Sequence, residues 1–168
     1  MALKNVETYI ARHGLVETID PAAKKPIWRK PGFDGIVGLS TMEQDLSRYL
    51  RGKRDAHRLN RSQVGMMIGI HPEIYARHER AGAKLTMARF LHLAELLDFS
   101  PIEALHAAAP QFFGEDQDDA NLRLALMMRF LAISASAAEA MLNLVEALPR
   151  SGAPDGESRT LAERADRA

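Results

Sequence analysis

Arg48, Arg51, Lys53, Arg54, Arg58, Arg61, Arg77, Arg80 and Lys84 face only Asp55, Glu73 and Glu79 over the same stretch, an excess of six positive charges. Guanidinium and ammonium groups gathered this densely make a surface that attracts phosphates. The chain as a whole has a formal net charge of +0, so the balancing acid lies elsewhere. From Gln111 onward ten carboxylates oppose six arginines, an excess of four negative charges. A basic middle followed by an acidic end can hold phosphates through one segment only.

Other chemistries find little footing. The 6 histidines raise the question of a metal, but His71 and His78 are seven apart, and no nearby pair has the spacing that places two imidazoles on one helix face. No glycine-rich phosphate loop, nucleophile elbow or carboxylate–histidine arrangement stands out from chance. The sequence therefore gives no catalytic residue, no metal ligand and no cofactor, and it reads as a non-enzyme. With 0 cysteines there is no disulfide scaffold. No apolar run approaches the roughly 18 residues of a membrane span, and no secretory signal is legible, so the expected setting is cytoplasmic and soluble, with no membrane partner.

The elements that must carry the cations follow from periodicity and caps. Residues 1–39 hold Pro21, Pro26, Pro31 and four glycines and read as an N-terminal arm, partly disordered, with a short helix over Asn5 to Arg12 at most. Ser40 with Glu43 predicts the start of a first helix, which carries Leu46, Tyr49 and Leu50 on one face and ends near Ala56. Asn60 with Gln63 opens a second, whose apolar face is Val64, Met67 and Ile68 and which Gly69 stops. His71-Pro72 opens a third, running to about Arg80, because proline at the first helical position has no amide that the helix would need. Thr86 caps a fourth helix with Phe90, Leu93, Ala94 and Leu97 inward. Ser100-Pro101-Ile102-Glu103 reads as a capping box for a fifth, closed by Pro110.

Two of these helices are short and joined by one tight turn bearing glycine, which makes a helix-turn-helix, a motif whose second helix can enter a major groove. Gly65 is small where the two would cross, and Gly69 permits a left-handed backbone. The segment resembles the lambda-repressor/Cro-like (XRE) helix-turn-helix family over roughly Leu46 to Leu105. The matching features are Leu59-Asn60, Val64-Gly65, Ile68-Gly69-Ile70, Glu79-Arg80, the capping Thr86, and Ala94-x-x-Leu97-Asp98-Phe99-Ser100-Pro101. Arg61 stands where the family opens its second helix with glutamine, the glycine after Glu-Arg is displaced to Gly82, and Tyr75 and His78 replace buried aliphatic residues or tryptophan.

The resemblance implies an all-α fold, a five-helix lambda-repressor-like domain over 40–110, and double-stranded DNA as the partner. It implies base contacts from His71, Glu73, Ile74 and Arg77. Arg77 can pair bidentately with guanine, Glu73 can accept from cytosine, and Ile74 can pack on a thymine methyl. Arg61, Ser62, Arg80 and Lys84 flank that face and suit phosphates, which fix register without reading sequence.

Beyond an acidic linker, Leu124, Met127, Phe130 and Leu131, then Met141, Leu144, Val145 and Leu148, form apolar stripes on helices expected over 115–148, the second restarting at Ser136 with Glu139. A five-helix module already encloses a core, so a second copy is the expected cover: a homodimer with two reading helices one DNA turn apart, on an inverted repeat. Residues 149–168 read as a disordered tail. In the arm, Lys24, Lys25, Arg29 and Lys30 surround Trp28. This cluster suits either a minor groove or, through Trp28 and Phe33, a protein. Two functional readings follow. One is a transcription regulator, repressor or activator, that can also touch RNA polymerase or another regulatory protein. The other is an interaction module of antiactivator or antitoxin type that works through the C-terminal helices.

Overall fold

The computed structural model describes residues 2–147. It divides into two compact units, residues 1–128 and 129–168. The described residues form eight α-helices and one short antiparallel hairpin, so the class is all-α in its bulk. Leu148 and the tail over 149–168 lie outside the described residues.

The first unit opens with more order than its prolines and glycines suggest. Helix α1 (Ala2–Arg12) begins three residues before the predicted start. Strands β1 (Val16–Thr18) and β2 (Ile27–Arg29) then pair with Val16 opposite Arg29 and Glu17 opposite Trp28. The three prolines lie outside both strands, where a missing amide costs no ladder bond.

Helix α2 (Leu39–Ala56) is not started by Ser40, which is already helical. Its N-cap is Gly38, which has no side chain to accept a bond. The acceptor comes from the hairpin loop instead: Asp20, 3 % exposed, takes the Leu39 amide on Oδ2 at 2.5 Å and the Ala22 amide on Oδ1 at 2.8 Å. A carboxylate at a helix N-terminus satisfies an orphan amide and complements the helix dipole. Asp20 thus ties the arm to the helical domain. Asp20→Ala is expected to lower unfolding stability by about 1–2 kcal/mol, the usual range for a lost cap. Asp20→Asn, which keeps an acceptor, should retain most of it in the same denaturation series.

Helices α3 (Arg61–Met67), α4 (Pro72–Glu79), α5 (Met87–Leu96) and α6 (Pro101–Ala108) follow at the predicted places. With α2 they enclose one core of Leu50, Val64, Ile68, Tyr75, Phe90, Leu93, Ala94, Leu97, Phe99 and Ala104. Leu46, Tyr49, Leu59 and Ile70 pack on its edge, and Tyr49 meets Phe99 edge-on at 5.4 Å. Met67 does not join it: this side chain, expected on the inner face of α3, is 40 % exposed because the helix ends there and Ile68 takes the inward position. The box at α6 is only half formed. Ser100 caps the Ile102 amide, while Glu103 turns to the Tyr49 hydroxyl at 3.4 Å and Lys53 at 3.7 Å, both on α2. A 3-10 turn (Pro110–Phe112) closes α6 as Pro110 predicts.

Helix α7 (Gln117–Ala132) is begun by Asp116, which accepts from the Asp119 amide at 2.8 Å, while Asp119 reaches back to the Glu115 amide at 2.9 Å. Helix α8 (Ala135–Ala147) starts before Ser136. The cap is Ser134, whose hydroxyl takes the Ala137 amide at 3.3 Å. No residue of α8 is buried.

Candidate nucleic-acid interface

The α3–α4 pair is set by six residues that the sequence marks. Asn60 and Gln63 form a reciprocal capping box, with amide-to-side-chain bonds of 2.9 and 2.8 Å, which fixes where α3 begins. Gly69 lies at φ 69°, a left-handed conformation that glycine reaches without the usual cost, and it turns the chain out of α3. His71 then caps α4 through its ring, accepting the Glu73 amide at 3.3 Å, with Pro72 at the first helical position. At Gly65 a side chain would lie 3.0 Å from the Ile70 carbonyl and 3.2 Å from Pro72 Cα, both backbone atoms of the turn and of the next helix. A Cβ there would push the turn and the next helix back by a few tenths of an ångström, so glycine suits this close approach.

Helix α4 is sharply two-sided. Tyr75, Ala76 and Glu79 are buried, while His71, Glu73, Ile74, Arg77 and Arg80 are exposed. The inner face is anchored by charge as well as by packing. Glu79, 7 % exposed, accepts from Arg54 of α2 at both carboxylate oxygens, at 2.5 and 3.1 Å, and from Arg61 of α3 at 2.8 Å. Arg54 also holds the Leu59 carbonyl at 2.8 Å, at the junction of α2 and α3. One carboxylate thereby locks three helices in register. Burial would raise the Glu79 carboxyl, but the bonds from Arg54 and Arg61 outweigh it and hold the group below the usual carboxylate range. Burial, then the nearby Glu79 charge, pushes the Tyr75 phenol well above its ordinary value, so it stays neutral.

The predicted site residues divide on this scaffold. His71, Glu73, Ile74 and Arg77 share the exposed side of α4, with Ile74 46 % exposed. Ser62 and Lys84 are exposed on the flanks. Two of the predicted phosphate contacts have partners of their own: Arg61 is half-buried against Glu79, and Arg80 pairs with Glu73 at 2.6 Å. Arg77 donates to the Gly82 carbonyl at 3.2 Å. The His78 ring faces the Ala83 carbonyl at 3.2 Å, in the turn that follows α4. The turn after α4 puts its left-handed residue at Ala81, φ 54°, one place before Gly82. A non-glycine there stores about 1–2 kcal/mol of strain.

The Arg54–Glu79 clasp went unassigned in the sequence, although a signal was present. Arg54 lies four residues after Leu50, and Glu79 four after Tyr75, so each opposite charge continues an apolar helix face. Of the C-terminal stripe, Leu124 and Met127 are half-buried. Phe130, Leu131, Met141, Leu144 and Val145 are exposed, the last two at 63 % and 55 %. Among the described residues no group of three or more His, Asp or Glu side chains is placed to hold a metal, and no helix is long and apolar enough to cross a membrane.

No family model, no curated protein and no solved structure matches the chain.

Proposed function

We propose that this protein binds double-stranded DNA sequence-specifically through α4, as a transcription regulator of lambda-repressor/Cro-like architecture built from α2 to α6. The observation that carries the reading is the two-sidedness of α4. Its inner face is clamped by a core tyrosine and a buried ion pair. Its outer face presents His71, Glu73, Ile74 and Arg77, side chains able to meet base edges and a thymine methyl. Short α3, the glycine turn and the closely crossed pair are what a helix needs to stand proud of a domain and enter a groove. The Glu73–Arg80 pair is exposed on both sides, so it costs little to open when a base or phosphate offers a better partner.

The test is selection of genomic fragments by the purified full chain, with sequencing, at about 150 mM salt, where nonspecific attraction is largely screened. Enrichment of one motif supports the reading, and uniform recovery of unrelated fragments overturns it. Homodimerisation through α7 and α8 is part of the same proposal and predicts an inverted repeat. Leu144→Glu combined with Val145→Glu should shift the mass in sedimentation from dimer to monomer and weaken binding to the full repeat. A monomeric unsubstituted chain at the same concentration would remove the dimer from the proposal.

The exposed apolar residues of α7 and α8 also support a second reading, an interaction module of antiactivator or antitoxin type in which the C-terminal helices engage another protein and the helix pair is only a scaffold. In that case Arg77→Glu leaves function intact, and removal of 133–148 abolishes it.

A further inference from the structure

Beside α4, on the α2 side, lies a groove of about 260 Å³ lined by Gln44, Ser47, Arg48, Arg51, Glu79, Arg80 and Ala81. We propose that this groove grips a phosphodiester of duplex DNA through Arg48, Arg51 and Arg80. It is thus a backbone contact separate from the one proposed at Ser62, which is not in the groove lining. The inference rests on the DNA-binding reading above and adds to it two residues of α2 that the resemblance does not supply.

The construction of the groove favours an anion. Arg48 and Arg51 are one helical turn apart on α2, and their side chains are 75 % and 60 % exposed, with Arg80 at 53 %. The carboxylate in the lining, Glu79, has a fully covered side chain and is spent on Arg54 and Arg61, so it offers the groove no free negative charge. The negative end of α4 is also covered. Ser47 donates to the His78 carbonyl at 2.6 Å, and the Gly82 amide donates to the Arg77 carbonyl at 2.8 Å. What remains are three exposed guanidiniums, each paired with one carboxylate: the half-buried Asp45 to Arg48 at 2.5 Å, Asp55, which also receives Arg54 at 2.5 Å, to Arg51 at 3.7 Å, and Glu73 to Arg80 at 2.6 Å. Such exposed pairs are weak, and a phosphate accepts two parallel bonds from a guanidinium fork, so it displaces them. The Ser47 bond fixes α2 against the end of α4, so a phosphate held here sets how deeply α4 sits.

The experiment measures binding of the full chain to a selected duplex and to a random duplex, by fluorescence anisotropy between about 50 and 200 mM salt. Arg48→Gln with Arg51→Gln should flatten the slope of log affinity against log salt by about 0.9 per subunit, the value for one phosphate, and weaken binding roughly fivefold near 150 mM, equally on both duplexes. The selected motif should not change. Asp45→Asn with Asp55→Asn removes the competing carboxylates and should tighten binding severalfold, a direction that damaged folding cannot produce. A selected motif with unchanged slopes in both double variants overturns the groove and leaves the reading by α4 standing. Salt-dependent binding that selects no motif, yet flattens in the arginine variant, supports the groove and overturns the base reading. No binding to either duplex at the lowest salt overturns both.

Discussion

Glu79→Ala is expected to destabilise the helical domain by about 3–5 kcal/mol, the cost of stranding a buried charge by removing its partner. Arg54, whose side chain is 8 % exposed, would keep only the half-exposed Asp55 carboxylate at 2.5 Å and the Leu59 carbonyl, both on one terminal nitrogen, while the two nitrogens that Glu79 receives lose their acceptor and Arg61 loses its anchor. Urea denaturation of the full chain checks the size of the effect; a loss under about 1 kcal/mol would show that the pair contributes no more than a surface bridge. Replacing both partners, Arg54→Met with Glu79→Leu, should recover most of the stability, because the penalty lies in the orphaned charge. The same clasp makes a prediction in pH. The folded Glu79 carboxyl is held below its ordinary value of 4.5, so its contribution is fully present above that pH and is lost as pH falls further through the folded value. The Arg54→Met, Glu79→Leu variant should show a shallower loss of stability on acidification than the unsubstituted chain.

Arg77→Glu is expected to abolish motif selection and to weaken binding to the selected duplex by a hundredfold or more. Arg77 is on the exposed side of α4, three residues after Ile74, and its contact within the protein is one bond to the Gly82 carbonyl. A bidentate guanine contact contributes about 1–3 kcal/mol of discrimination, and reversal adds repulsion from the phosphates on either side. Because the side chain is not in the core, melting temperature should stay near that of the unsubstituted chain. Arg77→Lys separates charge from geometry: it keeps the cation but loses the planar fork, so nonspecific binding should survive while base preference relaxes. Retention of the same motif by Arg77→Glu would show that α4 does not read the bases.

The two predictions bear on different faces of one short helix, and they differ in how far the sequence revealed them. The outer face of α4 was legible because exposure follows from helical period once the start of the helix is known, and His71-Pro72 fixes that start locally. The inner clasp was legible only as two charges continuing apolar stripes, since nothing local says that Arg54 and Glu79, 25 positions apart, meet.

By itself the sequence determined the five central helices, their caps at Asn60, His71, Thr86 and Ser100, the glycine turn, and the inward residues of α5. Each depends on neighbours within one or two turns, where sterics and hydrogen bonding act on adjacent residues. Tertiary structure decided what depends on distant partners. It placed Asp20 at the start of the helix that Ser40 was expected to cap, turned Glu103 from its own helix start to Tyr49 and Lys53, and folded the proline-bearing arm into a hairpin. It also left Met67 outside the core and committed Arg61 to Glu79. Glu103 and Arg61 each had a local option and a long-range one. A buried polar group takes the partner that satisfies it most fully, and only the assembled fold sets which partners are within reach.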